Sequence, residues 1–351
     1  MNNNFTLGWD LGGAHVKAVL LDGEGVAQQA MQVPCPLWRG MDQLEHALDS
    51  IMASLTQAVT RHVVTMTGEL VDIFDSRDAG VQSLADAMVR RFGAGRVRFY
   101  AGSYGLMAAN EVPAHLADIA SANWHASSTF LATRIEQALL IDVGSTTIDL
   151  VVLHQGRVAA VGYSDAERLQ YGELIYGGVI RTPVMALVQR LPFNGAWQGV
   201  AAEHFATMAD VYRLTGDLPE ACDMSDTADG LGKSQADSAR RLARMLGRDC
   251  QHADLAQWRQ LARALKSSQM RVLQQGVELA LSRGLLADGA PLVGAGVGRF
   301  LVRELARNMA LEYLDASDWV LATTAVDDWA VACLPAYAVA SLGLTGQSWQ
   351  H

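Results

Sequence analysis

Two aspartates, Asp10 and Asp142, each follow an apolar run and precede a glycine-bearing turn, in "LGWDLGGAHVKAVLLD" (7–22) and "LIDVGSTTIDLVVL" (140–153). Gly12 and Gly13, with Ala14 and His15, allow a turn whose N–H groups face an anion with no Cβ in the way. Lys17, seven positions after Asp10, returns on the next strand with a point charge for the same anion. A carboxylate repels phosphate, so the fitting partner of Asp10 is a magnesium ion that itself bridges phosphate oxygens. In the second stretch Gly144, Ser145, Thr146 and Thr147 offer amides and hydroxyls, and Asp142 is placed to share the metal. A hairpin with an exposed aspartate is the plainer reading of either stretch alone.

The two stretches are an internal repeat. Laying Asp10 on Asp142 puts Gly12 on Gly144, Gly13 on Ser145, Ala14 on Thr146, His15 on Thr147 and Lys17 on Asp149. Each copy reads as two strands joined by a tight turn. A third piece, "VGAGVG" with Gly294, Gly296 and Gly298, leads into a helix. Its N-terminus favours anions by about 0.3–1 kcal/mol per exposed charge. The expectation is an α/β chain of two similar lobes around a central phosphate-binding cleft. Lobe I takes 1–138 plus 320–351 and the first hairpin; lobe II takes 139–319, the second hairpin and the glycine loop.

The elements that must hold these loops are mixed. "MDQLEHALDSIMASLTQAVT" has helical spacing, "HVVTMTG" reads as a strand, "VQSLADAMVRRFG" as a helix ending at glycine, and "VRFYAG" as a strand. Residues 164–290 read as mostly helical, with a polar break at "DMSDTADGLGKSQADS". The arginines of "SARRLARMLGRD" read as the solvated, partner-facing side of an amphipathic helix. An apolar segment at about 331–345 reads as a buried helix.

Composition excludes several classes. At 351 residues the chain exceeds the ~250–300 at which single cores stop growing. Half its residues are hydrophobic and its net charge is −10, which suits a globular enzyme and not a nucleic-acid scaffold, whose binding needs a concentrated basic face. Four widely spaced cysteines give no disulfide framework or zinc pattern. "MNNNF" shows no secretory leader, and no apolar run reaches the ~20 residues of a membrane span. A cytoplasmic protein without a nucleic-acid or membrane partner is expected, and a homo-oligomer is compatible with the sequence.

Hairpin, second hairpin and late glycine turn, in this order, resemble the superfamily of actin, the 70-kDa heat-shock chaperones and the sugar kinases. More narrowly, "GWDLGGAHVKA", "TMTGEL", "ASANWHAS", "IDVGSTTIDL", "YGGVIRTPV" and "TADG" resemble the hydantoinase/oxoprolinase-like group of tetrahydromethanopterin-linked C1 transfer pathway proteins. That resemblance implies an alkyl/aryl transferase of methanofuran or methylofuran biosynthesis. Such an enzyme joins an aminomethylfuran-methyl diphosphate to the phenol of tyramine, glutamyl-tyramine or tyrosine and releases diphosphate. The loops would then hold a leaving group, with Asp10, Lys17 and Asp142 serving the reaction. Two alternatives use the same residues. One is an ATP-dependent small-molecule kinase or a hydantoinase/oxoprolinase-like enzyme with a bound nucleotide; the other is a non-catalytic nucleotide-binding module.

Outside the loops, Glu69 and His125 are candidate catalytic residues, and Arg181, Asp229 and Lys233 are candidates for binding the phenolic substrate. Each has a structural alternative: a helix cap for Glu69, a packed histidine for His125, a salt bridge for Arg181.

Overall fold

The strands form where β-branched and aliphatic runs are broken by the glycine turns. The computed structural model describes residues 5–324 and 326–345. Within them the chain divides into two units, one drawn from Met1–Gln137, Leu153–Ala159 and Ala316–His351, the other from Ala138–Val152 and Ala160–Asp315.

In the first unit, β1 (Phe5–Leu11), β2 (His15–Leu21), β3 (Ala27–Pro34), β4 (Val59–Met66), β5 (Val97–Tyr100) and β6 (Leu106–Ala108) make one mixed sheet in the order β3-β2-β1-β4-β5-β6. β1 pairs antiparallel with β2 and parallel with β4, and β4 parallel with β5. One face buries Leu7, Trp9, Leu11, Val64 and Phe99 against the helices Asp42–Ser54 and Arg77–Phe92. The first of these helices stops at Ser54 and β4 starts at Val59, earlier than the helical spacing of 41–60 suggests. The opposite face is covered by the helix Leu334–Thr345, from the apolar segment read as buried. It approaches so closely that a Cβ on Gly8 would lie 1.9 Å from the Ala336 carbonyl oxygen.

The second unit holds most of β7 (Gln137–Val143) and β8 (Ile148–His154), with β10 (Leu174–Ile175) pairing on β8, whereas β9 (Arg157–Val158) and the end of β8 that it pairs with belong to the first unit. A separate hairpin follows, β11 (Arg190–Phe193) and β12 (Ala196–Gly199). Then β13 (Leu292–Ala295) and β14 (Tyr313–Asp315) complete the order β10-β8-β7-β13-β14. Each sheet is thus an antiparallel meander continued by parallel strands, the α/β arrangement expected of the duplicated hairpins. The hairpin inside 164–290 corrects the mostly helical reading of that region. Its Asn194-Gly195 turn, both residues at positive φ, carries the strands' twist where Leu191 and Phe193 are buried.

Arg241 corrects the reading of "SARRLARMLGRD" as solvated. It is fully buried on the helix Gln235–Met245 and donates to Asp210 at 2.8 Å and to Asp229 at 2.9 Å. Arg213 joins Asp210 and Asp223 at 2.9 and 2.6 Å. A buried pair is held by mutual satisfaction, so removing one partner strands the other. No helix among the described residues is long and apolar enough to cross a membrane.

Two outcomes follow. Gly8→Ala must displace backbone, and should lower unfolding free energy by about 1–3 kcal/mol in denaturant titrations. His62, buried between Trp9 and Phe92, accepts from Trp9 Nε1 through Nδ1 at 3.1 Å, and burial, with Arg96 acting in the same sense, depresses it to about 3. The unfolded chain therefore binds a proton that the folded chain refuses. The stability contributed by neutral His62 is full above about pH 6.5 and is lost as pH falls toward 3. Denaturant midpoints measured near pH 7 and about pH 4.5 should differ less in His62→Gln than in the parent.

Candidate functional site

The first turn is built by its strands. Gly12 N–H donates to the His15 carbonyl at 3.0 Å, and the amides of Gly13 and Ala14 donate to no acceptor among the described residues. Register places Asp10 opposite Lys17 on β2 and opposite Thr65 on β4. Strand alternation puts Asp10 on the face of Gly8, toward the helix Leu334–Thr345, away from Trp9. Asp10 is only 4% exposed and its Oδ1 has no hydrogen-bond partner among the described residues; the fully buried Thr65 Oγ1 beside it also lacks one. Burial raises the Asp10 carboxyl above its ordinary value, and Lys17 opposes that rise.

A buried carboxylate oxygen and a hydroxyl, both unsatisfied, fit a magnesium ion that takes one or two protein ligands and draws the rest from phosphate and water. Among the described residues no group of three His, Cys, Asp or Glu side chains is placed to hold a metal, so an all-protein cage is not on offer.

Behind the turn, Thr67 N–H donates to the Leu11 carbonyl at 2.9 Å, and Gly68 packs against Leu11 and Gly12. Glu69 follows, 1% exposed, accepting from Ser121 Oγ at 2.7 Å. Ser121 sits at φ +50°, a conformation that non-glycine residues seldom adopt. Glu69 is therefore buried in the segment that follows Gly68, with its backbone against Gly80.

His125 lies on the helix Asn123–Ala132, where Nδ1 is 2.8 Å from Tyr100 Oη, and that phenol donates to Thr129 at 3.0 Å. Burial pushes the Tyr100 phenol up to about 12, against a lesser opposing effect of Thr129. Tyr100, Tyr104, His125, Thr129 and Arg157 line a cavity of about 650 Å³ within the first unit.

The second turn repeats the first. Gly144 N–H donates to the Thr147 carbonyl at 2.8 Å, matching Gly12 and His15. The segment "YGGVIRTPV" wraps it: Gly178 donates to Thr146, Val179 to Gly144, and Ile180 and Arg181 to Ser145, all through the backbone. A Cβ on Gly178 would lie 2.4 Å from Thr146 N. Arg181 Nη1 reaches Thr146 Oγ1 at 3.5 Å, and burial lowers its pKa.

The glycine loop also meets this turn. Ala295 pairs with Asp142 across β13 and β7, Gly298 N–H donates to the Val143 carbonyl at 2.8 Å, and Gly296 has φ +75°. A Cβ on Gly296 would lie 2.3 Å from Asp142 Oδ1, and one on Gly294 would meet Tyr313. The structure therefore gathers Asp142, Gly144, Ser145, Thr146, Arg181, Gly296 and Gly298 at the C-terminal end of the parallel strands β7 and β13.

Asp229 and Lys233 are engaged elsewhere in the second unit. Asp229 accepts from Arg241, Thr227 and the Leu231 amide, and against the burial that would raise it, the Leu231 amide with Arg241 and Arg240 holds its carboxyl low. Lys233 Nζ donates to the Asp223 carbonyl at 2.5 Å.

The profile of the family described as Hydantoinase/oxoprolinase matches residues 61–327. The chain belongs to the hydantoinase/oxoprolinase family. The match contains the second hairpin and the glycine loop, whereas Asp10 and Lys17 precede it. This family member is 27% identical over 299 residues, 85% of its length and 87% of the relative's, to the (4-{4-[2-(gamma-L-glutamylamino)ethyl]phenoxymethyl}furan-2-yl)methanamine synthase of Methanocaldococcus jannaschii. The synthase of the same name from Methanococcus vannielii is 32% identical over 121 residues, 34% of this chain and 54% of that relative. Among solved structures, a nucleotide-free acetone carboxylase superposes with TM-score 0.54 over 96% of this chain and 70% of its own, at 9% identity, which speaks to fold alone.

Sequence reasoning did not single out Thr65, Tyr100 or Arg168 in this family member. Thr65 and Tyr100 end parallel strands, where sheet ligands gather, and that position was their only signal. Arg168 Nη1 donates to Asp149 at 2.8 Å, answering a carboxylate where the first hairpin has Lys17.

Asp10→Asn tests whether the orphaned carboxylate serves a ligand. It should hold or raise thermal stability, since it removes a buried charge, while cutting turnover by at least about 100-fold. A purely structural Asp10 would lose stability instead.

Proposed function

We propose that this chain is a transferase that forms an aryl ether between an aminomethylfuran-methyl diphosphate and a phenol, tyramine, glutamyl-tyramine or tyrosine, in the biosynthesis of a methanofuran-type cofactor. The observation that carries the reading is the 27% identity shared with the archaeal synthase along nearly the full length of both chains.

The site's chemistry supports it. Displacement breaks the bond between the furan methylene carbon and the diphosphate oxygen, and the diphosphate leaves with the electron pair. The phenol oxygen forms the new C–O bond and gives up its proton. Each unit carries a turn whose groups suit the oxygens of a leaving diphosphate: the undonated Gly13 and Ala14 amides with Lys17 in the first, and "GSTT" with Arg181 in the second. Magnesium held at Asp10 would supply charge neutralisation of the departing oxygens.

The phenol, ordinarily near pKa 10, needs a proton acceptor or late capture. His125 is assigned that role: it stands beside Tyr100 in a cavity with aromatic walls and room for a phenolic ring. Glu69, buried and bonded to Ser121, is assigned to support of the first turn.

Purified protein with magnesium, a furfuryl diphosphate carrying the aminomethyl group, and tyramine or its glutamyl derivative should yield ether and diphosphate, resolved by mass spectrometry. Lys17→Ala and Arg181→Ala should each lower kcat by about 10- to 1,000-fold with the fold retained by circular dichroism. ATP hydrolysis without ether formation would overturn the transferase reading in favour of a nucleotide-dependent enzyme.

A further inference from the structure

Seven of the second unit's fifteen arginines are neutralised nearby: Arg168, Arg213, Arg240, Arg241, Arg283, Arg299 and Arg303 form ion pairs. Arg190, Arg263 and Arg271 make no ion pair among the described residues, and all three line a single pocket of about 320 Å³. Its other walls include Trp197, Gln260, Ser267 and Ser268, and no acidic residue lines it. In a chain of net charge −10, three unneutralised guanidiniums around one concavity are a concentrated positive field.

The pocket is rigidly built. Arg263, Ser267 and Arg271 recur every four residues on the helix Leu255–Leu281, so they share one face. The opposite wall is the β11–β12 hairpin. Its buried Phe193 stacks on Trp258 of that helix at 5.0 Å, and Gln257 Nε2 donates to Asn194 Oδ1 at 2.9 Å. Trp197 is nevertheless 65% exposed, with the Arg190 guanidinium 4.9 Å from its ring centre. The remaining cations are pre-oriented: Arg263 donates to Gln260 at 3.3 Å and Arg271 to Ser268 at 2.9 Å.

We propose that this pocket is a second anion-binding site, independent of the transferase reading, for a small multivalent anion bearing carboxylate or phosphate groups. Guanidinium forks engage both oxyanion types bidentately, and Gln260, whose Oε1 accepts from Arg263, presents its amide nitrogen as a neutral donor between them. Trp197 flanks the mouth and reports occupancy.

The test titrates citrate and inorganic diphosphate separately into the full chain, following Trp197 fluorescence and calorimetric heat. Lys17→Ala/Arg181→Ala serves as background, so that the hairpin turns do not contribute. Saturable one-site binding is expected, with a fluorescence change that vanishes in Trp197→Phe while the heat remains. Arg263→Gln/Arg271→Gln should weaken it by at least about tenfold, with circular dichroism unchanged. Preference for citrate assigns an oligocarboxylate ligand, and preference for diphosphate a phosphorylated one. No saturation by either anion up to about 10 mM, or equal affinity in the arginine double variant, overturns the proposal. Loss of transferase activity alone does not bear on it.

Discussion

A carboxylate buried in a sheet with one oxygen unsatisfied is the constraint around which the first unit is organised. Left to itself, Asp10 costs stability, because removing a charge from water without a partner is unfavourable. Its strand cannot move it outward: the alternation that points Trp9 into the core necessarily points Asp10 to the other face. Lys17 compensates by register, since β2 returns it opposite Asp10. Thr65 arrives the same way from β4. The polar strip across the sheet is therefore a product of strand pairing, set by where the turn falls.

The repeat was the most legible feature of the sequence, and the reason is local. A two-strand unit with a glycine turn is specified by adjacent residues, so Gly12 and Gly144 could be matched by eye and both make the same backbone hydrogen bond. The α/β class followed from the same pattern. What stayed hidden depends on residues distant in sequence. The partnership of Arg241 with Asp210 and Asp229 spans many positions, and an arginine in a polar-looking helix gives no sign that it is buried. The β11–β12 hairpin was missed for a different reason: "RLPFNGAWQG" has the Asn-Gly turn signal, but Pro192 and the surrounding helical periodicity obscured strands of only four residues.

The candidate site divides along the same line. Residues within the turns were found because their chemistry is carried by type and spacing. Asp229, in "TADG", and Lys233 were offered for the phenolic substrate, but the structure engages both in the network that closes the loop ahead of the helix Gln235–Met245. Arg181 lay within a recognisable stretch, "YGGVIRTPV", whose backbone bonds bring it to the second turn. Gln269 shows how such a loop is secured from afar: Nε2 donates to the Gly177 carbonyl, and Tyr212 donates to its Oε1. Nothing in the sequence near either glycine announces that support.

The contact between Gly8 and Ala336 joins the first strand of the chain to its last described helix. During translation the N-terminal sheet emerges long before Leu334–Thr345 leaves the ribosome, at roughly 5–20 residues per second. Throughout that interval one whole side of the sheet, including Gly8 and Val63, lacks its covering layer and exposes apolar surface to water. Completion of the first unit thus waits on a segment made long after its strands, and a nascent-chain chaperone has a defined surface to shield in the meantime.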